Sequence, residues 1–535
     1  MRKTLLTTLL GLVSMVGAMA ASTQHTDING DGTTDKADAQ LVYAYILGTA
    51  DESVTLAQVD VNKDGEVNTA DVVDIYVAAH PDYQMQTISI NEDFTLCHAP
   101  DVRVSDRNLG ILRDNLATLK EVTPAPIYEQ LAGGFIYYRP ERISINYVIE
   151  EDFHGVVVGR NLGALADSVK KNAPNYIVNI YARMLYHERL SEAQRTAVEE
   201  QYRKANDRYA QVYWSDGKKL VRGKVADAKA DEEAYFAELS EAYLGTNNFY
   251  PFDREELERF DKEGFALMET IWGKVEIPAH PDGISMPPTS LKQHLQWRES
   301  ELDPYYRKYL DANGMPIVAS RFVADSALVQ AKKIVIAMLE KIPEAQEHML
   351  AAHFRVGIIG NNENVTDMPE YRVMPEVWPD TDWDARGRGY GATEYIPLMS
   401  CGEENIIMIN RSERYWNESI MVHEFAHNVE FGLRKYHTEF CEALDAAFKN
   451  AVDNNLWCDK QGRPTYSRDN VSEYFAEGVQ AWFDTCRMIV NINGKDTMLK
   501  YREQLKAYDP MLHDAIQMVM ADRKLTGYHF NYEFK

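Results

Sequence analysis

The chain of 535 residues is poor in cysteine, with five in all, and no two have the Cys-x-x-Cys spacing. That argues against a cysteine-built zinc site. The count is odd, so at least one of Cys97, Cys401, Cys441, Cys458 and Cys486 stands outside any disulfide, and the pairing of the rest is open. Basic residues are also scarce. Against 82 Asp and Glu there are 56 Lys and Arg, a formal net charge of −26. Such a balance argues against nucleic acid or an anionic membrane as a partner. Long apolar runs are missing too. The run from Leu5 to Val16 is too short to span a bilayer, no stop-transfer pattern follows it, and no other stretch is apolar enough.

That short run has a different reading. Arg2 and Lys3 precede it and Ala18-Met19-Ala20 follows it, so residues 1–20 have the form of a secretory signal peptide. No Cys stands near the cleavage site to take a lipid. A secreted, extracellular protein is expected, held at the cell surface only through a scaffold. The remainder, 45% apolar and 11% aromatic, can fill packed cores, and its length predicts about three domains.

Residues 22–82 repeat themselves. Asp27-Ile28-Asn29-Gly30-Asp31-Gly32-Thr33-Thr34-Asp35-Lys36-Ala37-Asp38 returns 33 residues later, from Asp60 to Asp71. Oxygen side chains fall at loop positions 1, 3, 5, 9 and 12 with Gly at 6, the ligand order of a calcium loop whose seventh position offers its backbone carbonyl. The predicted ligands are Asp27, Asn29, Asp31, Thr33, Asp35 and Asp38, then Asp60, Asn62, Asp64, Glu66, Asn68 and Asp71. Each loop runs into an apolar helical pattern, Leu41, Val42, Tyr45, Ile46 and then Val72, Val73, Ile75, Tyr76. The twelfth ligand is Asp rather than Glu, and no strong helix precedes the first loop. Two such loop–helix units resemble a dockerin module. The resemblance implies a small all-α domain, two Ca2+ ions and a cohesin domain as partner. The usual recognition positions, Lys36-Ala37 and Thr69-Ala70, differ between the halves, which leaves the cohesin unspecified.

After a linker from Ala79 to Gln86, residues 91–275 alternate strand-like and helical stretches. Ile143 to Ile149 alternates as a strand, Asn179 to Tyr186 reads as a helix, and a long charged helix is expected from Ser191 to Tyr213. Ala234 to Tyr243, with its Tyr-Phe-Ala-Glu core, parallels Glu473 to Trp482 near the other end of the chain. Leu112 to Leu119 likewise parallels Ala331 to Leu339. A duplicated domain is therefore expected. In it Asn179, Ile180 and Arg183 stand where His423, Glu424 and His427 stand later, and Ala234 replaces Glu473, so the first copy is degenerate and non-catalytic. A connector, residues 276–315, is expected to include a helical stretch from Ser290 to Tyr309.

Residues 316–535 carry the chemistry. A helix from Ala324 to Glu340, a buried strand from His353 to Gly360, and strand-like runs at Glu394 to Met399 and Asn405 to Ile409 lead to Asn417, a candidate cap for a helix from Glu418 to Tyr436. On that helix lies His423-Glu424-Phe425-Ala426-His427. Two His four apart leave one helix face a turn apart, which suits two nitrogen ligands of one zinc ion. Glu424 is the expected general base toward the attacking water. The third ligand of a metzincin is excluded, since Glu430 and Leu433 occupy the positions where that class has Gly and His. A second helix supplies the alternative: Glu473 as ligand and Glu477, four residues on, accepting the free N–H of a ligand His. Tyr466, seven residues before Glu473, is placed to donate to an oxyanion.

His423 to His427, together with Tyr466-Ser467-Arg468-Asp469-Asn470-Val471-Ser472-Glu473-Tyr474-Phe475-Ala476-Glu477, resembles the catalytic domain of anthrax toxin lethal factor and its relatives. The likeness is specific over about residues 418–484. It implies an α+β protein: a zincin-like catalytic domain with a helical active-site core, preceded by a degenerate copy of the same fold and the dockerin. By the resemblance His423, His427 and Glu473 bind a catalytic Zn2+, Glu424 is the base and Tyr466 assists. The expected function is a secreted zinc endopeptidase acting on a protein or peptide. The strand near Glu394 to Met399 is the expected edge for an extended substrate. One alternative is a non-catalytic, zinc-containing extracellular binding protein of a dockerin-organised complex. Another is a carbohydrate-active enzyme, for which the sequence offers no paired-carboxylate and aromatic-platform arrangement.

Overall fold

In a computed structural model, the structure describes residues 26–51, 53–63, 65–79, 86–99, 102–132, 134–150, 153–168, 173–275, 280–409, 414–416 and 418–525. The signal peptide, Asp64, most of the expected linker, the start of the connector and Asn417 lie outside them. The chain divides into two compact units, residues 1–169 with 175–199, and residues 170–174 with 200–535. The boundary between units falls at 199/200, and the expected connector lies inside the second unit. Helix and strand are mixed, as in an α+β protein.

The first unit opens with three helices, α1 (Lys36–Ile46), α2 (Leu56–Val59) and α3 (Thr69–Ala79). Asp35 caps α1, its side chain accepting from Ala37 N. Val42, Val59 and Ile75, fully buried, form a small core of their own with Ala39.

Then comes a five-stranded sheet: β1 (Gln86–Ser89), β2 (Thr95–His98), β3 (Phe135–Tyr138), β4 (Ile145–Glu150) and β5 (Phe153–Val158), in the order β1-β2-β3-β5-β4. β1 begins before the expected domain start at residue 91. β2, β3 and β5 run parallel, and the outer strands pair antiparallel. Between β2 and β3 come α4 (Asp106–Val122) and α5 (Ala125–Leu131). After β5 follow α6 (Gly163–Asp167), α7 (Tyr176–Glu188), which packs on β4 and β5, and α8 (Glu192–Ala205). The charged helix ends at Ala205 rather than Tyr213. A 3₁₀ turn, Asn206–Ala210, breaks it, and the aromatic run Val212-Tyr213-Trp214 joins a strand instead.

In the second unit the end of α8 is followed by the hairpin β6 (Val212–Ser215) and β7 (Leu220–Lys224), then α9 (Glu232–Leu244), α10 (Arg254–Phe260) and α11 (Lys262–Trp272). The stretch expected to be helical from Ser290 to Tyr309 is instead a hairpin, β8 (Lys292–Leu295) with β9 (Arg298–Glu301), followed by β10 (Lys308–Ala312). From Lys292 to Glu301 every residue but Gln293 is half-buried or exposed, which suits an exposed hairpin as well as a helix surface. β10, β11 (Met315–Ala319), β12 (Arg355–Ile359) and β13 (Leu398–Gly402) form the main sheet in that order. β10 and β11 pair antiparallel; the others are parallel. α12 (Asp325–Leu339) and α13 (Pro343–Ala351) cross from β11 to β12, and the short α14 (Met374–Val377) and α15 (Trp383–Arg386) precede β13.

Two strand expectations are corrected here. Strand pairing begins at Leu398, because Thr393 to Ile396 is a turn in which Thr393 N donates to Ile396 O. Asn405 to Ile409 is not a strand: its start belongs to the short helix α16 (Glu403–Ile406).

The centre of this unit is α17 (Ile420–Tyr436), packed between α13, β13 and α19 (Val471–Trp482). Ser419 caps it, its hydroxyl accepting from Val422 N at 3.3 Å. Met421, Val422, Phe425, Ala426, Val429 and Leu433 point one way and are buried, a 3.6-residue stripe. Gly432 lets α13 come close, since a Cβ there would lie 2.7 Å from Ala345 O. α18 (Thr438–Asp453) leads to α19, capped by Asn470, which accepts from Ser472 N and Glu473 N. The hairpin β14 (Met488–Ile492) and β15 (Lys495–Leu499), then α20 (Arg502–Tyr508) and α21 (Pro510–Val519), close the unit. All five cysteines are free thiols.

Candidate metal centre

α17 and α19 bring three side chains to one point. His423 Nε2 lies 3.0 Å from Glu473 Oε2 and 3.3 Å from His427 Nε2, and His427 Nε2 lies 3.5 Å from Glu473 Oε2. Donors about 2.05 Å from a tetrahedral zinc stand roughly 3.3 Å apart, so this triangle has the size that the ion requires. Among the described residues it is the one cluster of His, Cys, Asp and Glu compact enough to hold a metal.

The proton on His423 can be placed. Gln480 Nε2 donates to Ser419 O at 2.9 Å, which turns Gln480 Oε1 toward His423 Nδ1 at 3.4 Å. Glu477 Oε1 faces the same nitrogen at 3.6 Å. With acceptors on that side Nδ1 carries the proton, and Nε2 presents its lone pair to the Glu473 oxygen and to His427. Lone pairs turned on one another in a buried place call for a cation between them. With protein groups alone, a proton on Nε2 shared with Glu473 is that cation, although burial resists charge on His423. The Glu473 hydrogen bond and the carboxylates of Glu424, Glu477 and Glu473 nevertheless push its pKa up to about 10. Burial works against the charge on Glu473 too, yet the two imidazoles and Tyr466 hold its carboxyl far below the usual range.

Glu424 follows His423 and faces the cleft. Burial lifts its carboxyl above the ordinary value, the two His and the Gly391 N–H work the other way, and Glu473 adds to the rise. A carboxylate so raised suits proton transfer. Tyr466 is 51% exposed, its ring stacks 6.2 Å from that of His423, and its hydroxyl donates to Glu473. Glu477, buried, is pushed up to about 7 by burial and by Glu418, and accepts from the Cys486 thiol at 3.3 Å.

A cleft of about 1020 Å³ opens onto these residues, lined on its far side by the segment from Arg386 to Thr393. That segment, rather than Glu394 to Met399, is the rim. Tyr390 exchanges backbone hydrogen bonds with Ser400 of β13, so β13's edge is met there. By alternation, Gly389 and Gly391 turn toward the cleft. A Cβ at Gly389 would lie 3.0 Å from Glu424 Oε1, and one at Gly391 3.1 Å from His427 Cβ. Sequence reading missed Gln480, which shares the face of Glu473 and Glu477 at the next turn, and Arg487, which lines the cleft and pairs with Glu418 at 2.9 Å. The 473, 477, 480 spacing is a signal that could have found the former.

The two repeated loops are built alike. Asp38 Oδ1 accepts from Ile28 N and Asn29 N, and Oδ2 from Asp35 N; Asp71 does the same for Val61, Asn62 and Asn68. Asp27 accepts from Gly30, Asp31 and Gly32, and Asp60 from Gly65. Asp31 holds Thr33. Gly32 and Gly65, both at φ 90°, make the sharp turn at loop position 6. Asn29, Asn62, Asp35, Glu66 and Asn68 stand in these loops as the sequence places them. The acids do not converge as tightly as the His423 cluster. Asp60 Oδ1, however, is buried with no hydrogen-bond partner among the described residues, an oxygen that fits a bound cation.

Residues 25–75 match the Dockerin type I domain family. No curated protein and no solved structure matches the chain. The N-terminal module is thus a dockerin, a domain that binds calcium and implies a cohesin partner. Dockerin modules occur in extracellular, cell-surface-anchored scaffold complexes. No helix among the described residues is long and apolar enough to cross a membrane.

Proposed function

We propose that this chain is a secreted zinc endopeptidase carried by its dockerin to a cohesin-bearing scaffold. The carrying observation is the His423, His427 and Glu473 triangle, with distances of 3.0, 3.3 and 3.5 Å and the tautomer of His423 fixed by Gln480 and Glu477. The resemblance to the lethal factor catalytic domain over residues 418–484 supports the same roles. Zinc bound there would activate a water and polarise a peptide carbonyl. Glu424 would take a proton from the attacking water and pass it to the leaving amine. Tyr466 donates its hydroxyl to the developing oxyanion. Gly389 and Gly391 let the rim approach α17 closely, and an extended peptide backbone would lie along that rim.

The domain carrying the site is the second copy of a duplication. In each of the two larger sheets, an antiparallel hairpin leads through two helices to a strand parallel to the hairpin's second strand, and then to another parallel strand (β1-β2-β3-β5 and β10-β11-β12-β13). Asn179 and His423 are each the fourth residue of their helices, and Ala234 and Glu473 each the third. Tyr235 and Tyr474 both donate at 2.6 Å to an Asp, Asp261 or Asp509, that caps the second helix further on, α11 or α21. In the first copy Arg183 Nε instead donates to Asn179 Oδ1.

The test is casein cleavage by the zinc-loaded mature chain. Cleavage that needs zinc and is lost in Glu424→Gln supports the proposal. Undiminished cleavage by Glu424→Gln, or none by the wild type, would refute it.

A further inference from the structure

The hairpin β8–β9 turns through Gln296 and Trp297, with φ of 52° and 62°. Such a turn ordinarily takes Asn and Gly, because the left-handed region crowds a bulky side chain. A tryptophan held there, and 71% exposed, buries little in return. Its partner is Tyr395, 55% exposed, with ring centroids 4.4 Å apart, and Gln296 N donates to Tyr395 O at 2.6 Å. Backbone strain that buries little points to use by something outside the chain.

The place of the pair says what that is. Tyr395 follows two residues after Thr393, which lines the cleft, so the two Cα atoms lie within about 7 Å. Gly391, beside His427, is four residues before Tyr395, at most about 14 Å away. A peptide extended along the rim away from the metal centre therefore reaches the pair within about four residues.

We infer that Trp297 and Tyr395 form a distal subsite that takes an aromatic or large aliphatic side chain of an extended peptide substrate, up to about four residues from the bond cut. The subsite lies just beyond the cleft lining at Thr393 and rests on the peptidase reading above. It selects among substrates and takes no part in the chemistry.

The test is cleavage profiling of an unglycosylated peptide library by the zinc-loaded wild type, Glu424→Gln, Trp297→Ala and Trp297→Phe. The wild type is expected to prefer a bulky apolar residue at one position remote from the cut. Trp297→Ala loses that preference and about tenfold in kcat/KM on preferred peptides, through KM. Trp297→Phe keeps most of it, and preferences next to the cut stay unchanged in both. A Trp297→Ala profile identical to the wild type's overturns the subsite while leaving the peptidase standing. If the wild type cuts nothing, or Glu424→Gln still cuts, the peptidase reading falls and the subsite with it.

Discussion

His423 Nε2 and His427 Nε2 lie 3.3 Å apart on one side of the His423 ring, while its Nδ1 faces Glu477 and Gln480 on the other. Two lone pairs that close are repulsive until a proton or a metal ion stands between them, and zinc competes with the proton for that place. The cluster is therefore expected to take up one Zn2+ per chain. His427→Ala should bind zinc at least about 100-fold more weakly than the wild type, and Glu424→Gln about as tightly, because Glu424 is not in the triangle. Metal content after dialysis, read by atomic emission, checks this. Equal zinc in His427→Ala and wild type would exclude the site.

Glu477 and Gln480 orient His423 without touching the metal position. Groups of this kind are worth about 10–100-fold in metal affinity. Gln480→Ala and Glu477→Gln should each lose zinc to a competing chelator in that range, while keeping the far-ultraviolet circular dichroism of the wild type. Unchanged affinity in both would mean that the hydrogen bonds to Nδ1 are incidental.

The phenol of Tyr466 is half in solvent and touches Glu473 rather than filling a core. Its removal costs little packing. Tyr466→Phe should therefore lower kcat on casein-derived peptides by about 10²–10³, with KM and zinc content nearly unchanged. A fall in zinc content matching the fall in rate would instead make Tyr466 a support for Glu473.

What was legible in the sequence was local. His423 and His427 are one turn apart on one helix, and Glu473 and Glu477 one turn apart on another, so helix geometry alone gave their faces. The calcium loops were legible because ligand spacing repeats within each loop, and the two copies are in register at 33 residues. What depends on the approach of distant segments was not. The rim at Gly389 and Gly391 meets α17 some thirty residues on, and nothing in the local pattern announces it. Trp297 and Tyr395 are nearly a hundred residues apart in sequence. Ser290 to Tyr309 failed for another reason: its charged side chains fit an exposed face of either kind, and the turn at Gln296-Trp297 lacks the glycine that marks a hairpin.

Asp60 Oδ1 is buried without a hydrogen-bond partner among the described residues, whereas the oxygens of Asp38 are taken up by loop amides. An unpartnered carboxylate oxygen costs stability unless a cation meets it. Titration calorimetry of the full chain should count two calcium ions in the wild type and one in Asp60→Ala, the loop from Asp27 to Asp38 retaining its own. Calcium at 100 times its Kd would add about 2.7 kcal/mol to the module's stability. Two ions bound with unchanged affinity in Asp60→Ala would remove Asp60 from the ligand set.

His294 and His353 stack face to face, centroids 3.6 Å apart and planes 3° off parallel. Burial lowers the pKa of His294, and His353 and Arg355 beside it push the same way; Glu299, 3.9 Å off, opposes them weakly. The folded protein thus binds a proton at His294 less well than the unfolded chain, whose His titrates near its ordinary value of about 6.5. Stability from this group is present above about pH 6.5 and is lost as pH falls through it. The melting temperature should drop between about pH 7.5 and pH 5.5, and drop less in His294→Gln, which has no proton to bind there. The rest of the chain is the same in both proteins, so the difference between them isolates His294. Equal drops in the two, measured by scanning calorimetry, would show that the stacked pair carries no charge-linked stability.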